Sequence, residues 1–150
     1  KDALIIITYP NPDHERDKIL QCINQLVGFK ENVYLYSSLG QLLYLSTLKY
    51  SKCVIGNSSS GIVEAASFKL PVVNIGMRQD GKVKPINVIN TYFQEKKILK
   101  AIKKASSKKF KDSIKNLKNP YEKKIDLQKI SSFILKSCKS SKILHKRFID

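Results

Sequence analysis

The stretch VIGNSSSGIVEAASFKLPVVNIGMRQDG occupies positions 54–81 and holds two apolar runs separated by a serine-rich loop and a helical pattern. Each apolar run is short, unbroken and bounded by Gly or Pro, which is typical of a strand buried on both faces. A strand, a helix and a second strand in this order predict parallel strands joined by a crossover helix. The stretch therefore predicts an α/β fold.

The same alternation continues on both sides of this stretch. The pattern predicts strands at residues 3–9, 32–36, 53–56, 71–75 and 87–90. It predicts helices at residues 13–27, 41–50, 61–68, 94–105 and 126–138, with Gly28 ending the first of them. Unbroken apolar strands between helices indicate a doubly wound, Rossmann-like parallel sheet covered on both faces. Residues 106–124 have the weakest pattern, and we predict that they are the most mobile segment.

Length and composition limit the class of protein. A chain of 150 residues, of which 42% are hydrophobic, is sufficient for one domain with its own core. Its apolar runs are far shorter than the ~20 residues of a membrane-spanning helix, and its start lacks the layout of a signal peptide. We therefore expect no membrane partner. Because the chain does not begin with Met, we also expect a piece of a longer protein.

The cysteines indicate a reducing compartment. There are three, at positions 22, 53 and 138, and their number and spacing form neither a metal-binding pattern nor a disulfide framework. The sequence therefore predicts a cytoplasmic protein without a metal site. Cys22 and Cys138 fall on the apolar side of helical patterns, so we predict that both are buried.

The net charge of +16 is concentrated in the second half of the chain, where residues 94–150 contain 17 Lys and one Arg against five acidic residues. Nucleic-acid-binding surfaces rely on Arg and on stacking aromatic rings, which are scarce in this half. A solvated helix surface is therefore the favoured interpretation, and we expect no nucleic-acid partner. Attraction of an anionic nucleotide substrate is a secondary possibility.

The serine loop is a candidate anion site. It follows a predicted strand and precedes a helix, where free backbone N–H groups and a partial positive charge attract anions. The hydroxyls of Ser58, Ser59 and Ser60 can donate to phosphate oxygens, and Gly61 allows the backbone to approach closely. The alternative is a plain flexible connection between the strand and the helix.

Glu64 has two possible roles. If Gly61 caps the following helix, Glu64 occupies the position from which its carboxylate can bond back to the cap N–H. Alternatively, the carboxylate accepts hydrogen bonds from both hydroxyls of a ribose. The residues alone leave these alternatives open.

Two more loops leave the same predicted edge of the sheet. Arg78 follows the fourth strand and can form a bidentate contact with a phosphate, or it is an ordinary solvated loop charge. Asn11 follows the first strand within TYPNPD and offers both a donor and an acceptor. The alternative is that Asn11 and Asp13 only cap the next helix.

These motifs together resemble a known family. The string GNSSSGIVEAASFKLPVVNIGMRQDGKVKPINVI at residues 56–89 resembles the nucleotide-binding half of hydrolysing UDP-N-acetylglucosamine 2-epimerases. TYPNPD at residues 8–13 and NPY at residues 119–121 are similar to further motifs of that family. The resemblance implies a two-domain fold of the glycosyltransferase-B type, of which residues 1–150 are the C-terminal UDP-binding domain. The N-terminal catalytic domain would lie outside this chain, and the full-length enzyme would be a homo-oligomer.

The resemblance also implies roles for individual residues. Ser58 and Ser59 would bind the diphosphate beside the N–H of Gly61, Glu64 would hold the ribose hydroxyls, and Ser60 would belong to the same site. Asn11 and Arg78 would contact the diphosphate, and the backbone near Leu39 would meet the uracil edge. Lys82 stands where the family usually has Arg, which keeps the charge but loses the bidentate contact.

The implied reaction eliminates UDP across C1–C2 of the sugar and then adds water, which releases N-acetylmannosamine for the synthesis of sialic-acid-type sugars. We expect no catalytic residue in this chain, because no pair of acids is arranged for proton transfer. We also expect no cofactor and no metal. The chain alone would then be inactive. The alternatives are a related epimerase acting on a diacetamido sugar nucleotide, a glycosyltransferase of the same architecture, or a non-enzymatic nucleotide-binding module.

Overall fold

The predicted alternation of strands and helices is confirmed by the computed structural model, which describes residues 3–139. The strands are β1 (Ile5–Thr8), β2 (Val33–Tyr36), β3 (Val54–Gly56), β4 (Val72–Ile75) and β5 (Val88–Thr91). The helices are α1 (Arg16–Phe29), α2 (Gly40–Tyr50), α3 (Ser59–Val63), α4 (Glu95–Ser106), α5 (Lys108–Ser113) and α6 (Leu127–Cys138), with a 3₁₀ turn at Ala65–Phe68.

All strand pairs are parallel, as predicted, but they form two hydrogen-bonded sheets. One sheet pairs β1 with β2, and the other has the order β3-β4-β5. In the second sheet, Gly56 is opposite Asn74, and Asn74 is opposite Asn90. Parallel sheets flanked by helices confirm the Rossmann-like α/β class. The register also places the carboxyl ends of β3, β4 and β5 at one edge, from which the candidate loops leave.

The core lies on both faces of β4. Because successive side chains of a strand point to opposite faces, Val72 packs against Leu48 and Ala65 on one face. Val73 packs against Ala101 and Ala105 of α4 on the other face. Val72 and Val73 are 2% and 0% exposed. The prediction of a strand covered on both faces is therefore confirmed at β4.

The first sheet is more exposed than its sequence predicts. Ile5 and Ile6 of β1 are 44% and 38% exposed, although their apolar run predicts a fully buried strand. Helix α1 has no buried residue, and neither has α6. The prediction that Cys22 and Cys138 are buried is wrong, because both are exposed on these two helices. Helical spacing shows that one face of a helix is apolar, but it does not show what covers that face.

Several predicted boundaries are also wrong, each for a local reason. Helix α1 begins at Arg16, because Glu15 has a φ of 67° and the backbone is not yet helical there. Gly28 lies inside α1 and does not end it. The sequence also missed a helix, because the segment 106–124 contains α5; the predicted mobility of this segment stays a prediction. The side chain of Ile114, directly after α5, is only 1% exposed and anchors this segment to the core.

The lysine-rich half of the chain forms a solvated surface as far as the structure describes it. The lysines between residues 96 and 118 are all exposed, and most lie on α4 and α5. The part of this half beyond residue 139 lies outside the described residues. Among residues 3–139, no helix is both long enough and apolar enough to cross a membrane.

Candidate functional site

The serine loop begins where β3 ends. Gly56 is the last residue of β3 and has a φ of 146°, a conformation that L side chains rarely adopt. The chain then turns through Asn57 and enters α3 at Ser59. In open α/β folds, ligands bind beyond the carboxyl ends of the strands, which is where this loop lies.

Helix α3 starts two residues earlier than predicted. Ser58 is its N-cap, and the Ser58 hydroxyl accepts a hydrogen bond from the backbone N–H of Ser60 at 3.4 Å. Ser is a preferred N-cap because its oxygen satisfies an N–H group that lacks a helical partner. The interpretation of Gly61 as the cap is therefore wrong. Ser59 is the first residue of the helix and its side chain is exposed.

Gly61 is buried where α3 packs against β3 and β4. A Cβ atom at this position would lie 3.1 Å from Cγ1 of Val72, which is closer than ordinary van der Waals contact. The backbone N–H of Gly61 donates to the carbonyl of Ser58 at 3.2 Å. The structure thus gives Gly61 a packing role between α3 and β4, which brings the serine loop close to the strand edge.

Glu64 directly follows α3, and its backbone N–H donates to the carbonyl of Ser60 at 2.9 Å. Since the helix is capped by Ser58, the Glu64 carboxylate cannot serve as the capping group, and the capping alternative is wrong. Within residues 3–139 this carboxylate has no hydrogen bond and no ion pair. It lines an open cleft and is free to accept hydrogen bonds from a ligand.

The cleft has a volume of about 570 Å³ and lies beyond the carboxyl ends of β1 and β2. Leu39 lines it, so the predicted contact residues Leu39 and Glu64 face the same space. Asn11 is not among the lining residues. The lining residues are Thr8, Tyr9, Ser37, Ser38, Leu39, Gly40, Gln41, Tyr44, Leu45 and Glu64.

Tyr44 belongs to the candidate site, although its sequence pattern does not indicate such a role. Its phenolic hydroxyl forms a hydrogen bond with the hydroxyl of Ser60 and lines the cleft beside Glu64. Burial raises the pKa of Tyr44, the Ser60 hydrogen bond lowers it, and the Glu64 carboxylate raises it again. The neutral phenol can therefore act as a donor in the cleft. The only sequence signal was its place in the apolar pattern of α2, which indicates packing.

The loop at residues 76–85 donates two hydrogen bonds to one backbone carbonyl of the serine loop. Arg78 Nη1 donates to the carbonyl of Asn57 at 3.3 Å, and Gln79 Nε2 donates to the same oxygen at 2.7 Å. The structure thus brings Arg78 beside the serine loop, as the sequence predicts. Within the loop, the ammonium group of Lys84 contacts the carboxylate of Asp80 at 2.6 Å.

Gln79 is the second residue that the sequence analysis left out of the site. Its side chain is only 2% exposed, although a polar residue in a loop is usually solvated. Its amide Nε2 donates to the carbonyl of Asn57, whereas its Oε1 is buried without a hydrogen-bond partner in the described part of the chain. Lys82, in contrast, is exposed.

Asn11 is exposed in the turn after β1, where its carbonyl accepts a hydrogen bond from the N–H of Asp13 at 2.7 Å. Because α1 begins at Arg16 with no side-chain cap, the alternative role of Asn11 and Asp13 as helix caps is wrong. The side chain of Asn11 makes no hydrogen bond with another residue between 3 and 139. The structure therefore does not bring Asn11 together with the other predicted residues.

The arrangement is suited to binding an anion and a polyhydroxyl group. Hydroxyls, a guanidinium and backbone N–H groups lie at one sheet edge, and a carboxylate and a phenol lie in the adjoining cleft. Among residues 3–139, no group of three His, Cys, Asp or Glu side chains is placed to hold a metal ion. Fold and site together define a Rossmann-like α/β domain with a polar cleft at the carboxyl ends of its strands.

Comparison with known proteins identifies the family. The family model described as UDP-N-acetylglucosamine 2-epimerase matches residues 1–135, and the chain belongs to this family. The family resemblance that the sequence motifs predict is thereby confirmed.

Curated relatives agree with this assignment. The chain is 40% identical, over its whole length, to a protein of Campylobacter jejuni named GDP/UDP-N,N'-diacetylbacillosamine 2-epimerase (hydrolyzing), of which it covers 39%. Over 71% of its length it is 36% identical to polysialic acid biosynthesis protein P7 of Escherichia coli. Over 69% of its length it is 34% identical to UDP-N-acetylglucosamine 2-epimerase of Neisseria meningitidis. The chain covers 27% of each of these last two proteins.

The contact between the two loops leads to a prediction about stability. Replacing Gln79 by Glu keeps the size of the side chain. It replaces the amide donor that faces the Asn57 carbonyl with a carboxylate oxygen, which cannot donate when ionised. We expect a loss of about 1–3 kcal/mol in the free energy of unfolding at pH 7, measured by urea denaturation, because a buried hydrogen bond becomes a repulsion.

The loss should depend on pH. Burial raises the pKa of the introduced carboxyl group in the folded state above its unfolded value. The difference in stability between the variant and the parent should therefore be smallest at low pH and should grow as the pH rises through the folded-state pKa. Gln128, exposed on α6, provides the control Gln128→Glu. Equal stability of the two variants at pH 7 would show that the Gln79–Asn57 contact does not hold the loops together.

Proposed function

We propose that this chain is the nucleotide-binding domain of a hydrolysing 2-epimerase whose substrate is UDP-N-acetylglucosamine. The observation that carries the proposal is the meeting of two loops at the carbonyl of Asn57, to which Arg78 and Gln79 both donate. Asn57 directly precedes Ser58 and Ser59, and this supports a common site for the guanidinium and the two hydroxyls. A guanidinium and neighbouring hydroxyl donors at the start of a helix form a suitable surface for a diphosphate.

The diphosphate is the leaving group of the proposed reaction. When the bond between C1 and the diphosphate oxygen breaks, negative charge develops on UDP. Donors that are already in place around the phosphates stabilise this charge most strongly in the transition state. We assign this role to Ser58, Ser59 and Arg78. The N–H groups of Ser60 and Gly61 already donate to Ser58, so the predicted contact of the Gly61 N–H with the diphosphate is not retained. The backbone contribution therefore falls to the N–H groups of Ser58 and Ser59.

The Glu64 carboxylate and the Tyr44 phenol are the proposed partners of the nucleoside. A carboxylate can accept hydrogen bonds from two adjacent hydroxyls, which is the pattern of a ribose. Its freedom from other partners among the described residues supports this role, as does its place in the cleft with Leu39. The backbone near Leu39 then meets the base, while Tyr44 connects the cleft to the serine loop through Ser60.

The proton transfers belong to a part of the protein outside this chain. Elimination requires a base that removes the C2 proton, and hydration requires an acid that returns a proton to C2. Among the described residues that line the cleft, Glu64 is the only acid, and it has another proposed role. We therefore propose that residues 1–150 are a C-terminal domain, and that an N-terminal domain completes the active site. The fraction of its relatives that the chain covers, 27–39%, is consistent with this division.

A second substrate is favoured by one comparison. The relative that the chain matches over its whole length is named for a diacetylbacillosamine nucleotide, and its name includes both GDP and UDP. A diacetamido sugar on the same diphosphate would use the same serine loop and Arg78. Measuring the affinities for UDP and GDP in parallel distinguishes the base preference, and we expect UDP to bind more tightly.

A role in sialic-acid-type biosynthesis, a cytoplasmic location and a homo-oligomeric enzyme remain predictions.

Replacing both Ser58 and Ser59 by Ala tests the diphosphate site. The change removes two hydroxyl donors and also the Ser58 oxygen that caps the Ser60 N–H, but it leaves the backbone N–H groups in place. The loss of UDP affinity should therefore be partial, at roughly 1.5–3 kcal/mol for each bond to a charged oxygen, reduced where water substitutes. In calorimetric titrations, UDP should bind the variant at least tenfold more weakly. Uridine, which lacks the diphosphate, should bind the variant and the parent equally.

The pair Ser131→Ala and Ser132→Ala on α6, where both serines are exposed, is the matched control and should leave both affinities unchanged. If UDP and uridine weaken by the same factor in the Ser58 and Ser59 variant, the serines shape the loop and do not bind phosphate.

Replacing Glu64 by Gln tests the ribose site. A charge-assisted hydrogen bond is worth roughly 1.5–3 kcal/mol, part of which an amide retains, so the dissociation constant for UDP should rise about tenfold. Uridine should weaken by the same factor, because it has the same ribose. The melting temperature should not fall, since the carboxylate does not cap α3. A dissociation constant within twofold of the parent, with Glu31→Gln as the surface control, would contradict the assignment.

A further inference from the structure

Asn119, which lies between α5 and α6, contacts the end of α3. Its Nδ2 donates to the carbonyl of Val63 at 2.7 Å and to the hydroxyl of Ser67 at 2.7 Å. Its Oδ1 accepts a hydrogen bond from the N–H of Tyr121 at 2.9 Å. Both ends of the Asn119 amide are therefore engaged, which fixes the orientation of the side chain.

The carbonyl of Val63 has a specific need for this partner. Val63 is the last residue of α3, and the N–H of Ser67, four residues later, donates to Glu64 instead. The last carbonyls of a helix lack helical partners and require others. Asn119 supplies that partner for the carbonyl of Val63, the residue directly before Glu64.

Tyr121 contacts the other loop of the site. Its hydroxyl donates to the carbonyl of Val83 at 2.8 Å, within the loop at residues 76–85 that carries Arg78 and Lys82. Pro120 stands between Asn119 and Tyr121 and restricts the backbone there. Three consecutive residues thus connect the element that leads into Glu64 with the loop that carries Arg78.

We propose that Asn119 and Tyr121 are positioning residues that set the separation between the ribose-binding Glu64 and the loop at residues 76–85, which carries the diphosphate-binding Arg78. The inference rests on the proposed function, because it assigns the two contacts to the two halves of one nucleotide site. Neither residue touches the ligand. Asn119 acts through the carbonyl of Val63, and Tyr121 acts through the carbonyl of Val83. The length of the 119–121 segment thereby sets the distance between the ribose-binding and diphosphate-binding parts of the site.

The two contacts have separable consequences. Tyr121→Phe removes only the bond to the Val83 carbonyl, which lies in the loop that carries Arg78. UDP should therefore bind the variant about three- to tenfold more weakly, while uridine binds as it does to the parent. Because the Tyr121 side chain is 37% exposed, water can replace the lost bond, and the melting temperature should change little.

Asn119→Ala removes the partner of the Val63 carbonyl, so UDP and uridine should both weaken, since both contain the ribose that Glu64 binds. Ser67→Ala removes only the other acceptor of Asn119 and should leave both affinities unchanged. If Asn119→Ala lowers stability, the variants Tyr121→Phe and Ser67→Ala still test the proposal, because each deletes only a single hydroxyl.

The experiment is calorimetric titration of the full chain and its variants with UDP and with uridine, with the exposed Tyr50→Phe as control. The expected result is loss of UDP affinity alone in Tyr121→Phe and of both affinities in Asn119→Ala. If the parent binds UDP and Tyr121→Phe binds it within twofold of the parent, the inference is overturned and the proposed function stands. Equal weakening of UDP and uridine in Tyr121→Phe also overturns it. A parent that does not bind UDP overturns both.

Discussion

The candidate site depends on the hydrogen bond from the buried Gln79 amide to the carbonyl of Asn57. This bond joins the loop after β4 to the loop after β3, and Arg78 contacts the same oxygen. A backbone carbonyl that accepts two donors fixes the separation of the loops without involving the serine side chains. The start of α3, with Ser58 and Ser59, is therefore held near the Arg78 guanidinium by contacts within the chain. Under the proposed function, this preorganisation reduces the entropy lost when a ligand binds.

The sheet determines where this bond can form. Parallel pairing of β3 with β4 brings Gly56 opposite Asn74, so both following loops leave the same edge. Burial of Val72 and Val73 on opposite faces holds β4 between two layers of helices. Gly61 permits close approach of α3, because a Cβ atom there would press on Val72. Packing in the core thus sets the geometry of polar groups at the edge.

The sequence predicts the fold and the serine loop well, because unbroken apolar strands and a Gly- and Ser-rich turn depend on local chemistry. It does not predict the exposure of α1 and α6, because an apolar helix face does not specify its partner. Nor does it identify Tyr44 or Gln79 as site residues. Tyr44 reaches Ser60 only through tertiary packing, and the burial of Gln79 follows from a contact across 22 residues of chain. The helix start was misplaced because Ser58 and Gly61 are both acceptable N-caps.

The most direct test of the account is a crystal structure of the chain with UDP bound. The account predicts diphosphate oxygens at hydrogen-bonding distance, about 3 Å, from the hydroxyls of Ser58 and Ser59 and from the Arg78 guanidinium, with the ribose hydroxyls on the Glu64 carboxylate. A diphosphate bound instead along the lysine-rich surface of α4 and α5, with the serine loop empty, would contradict it.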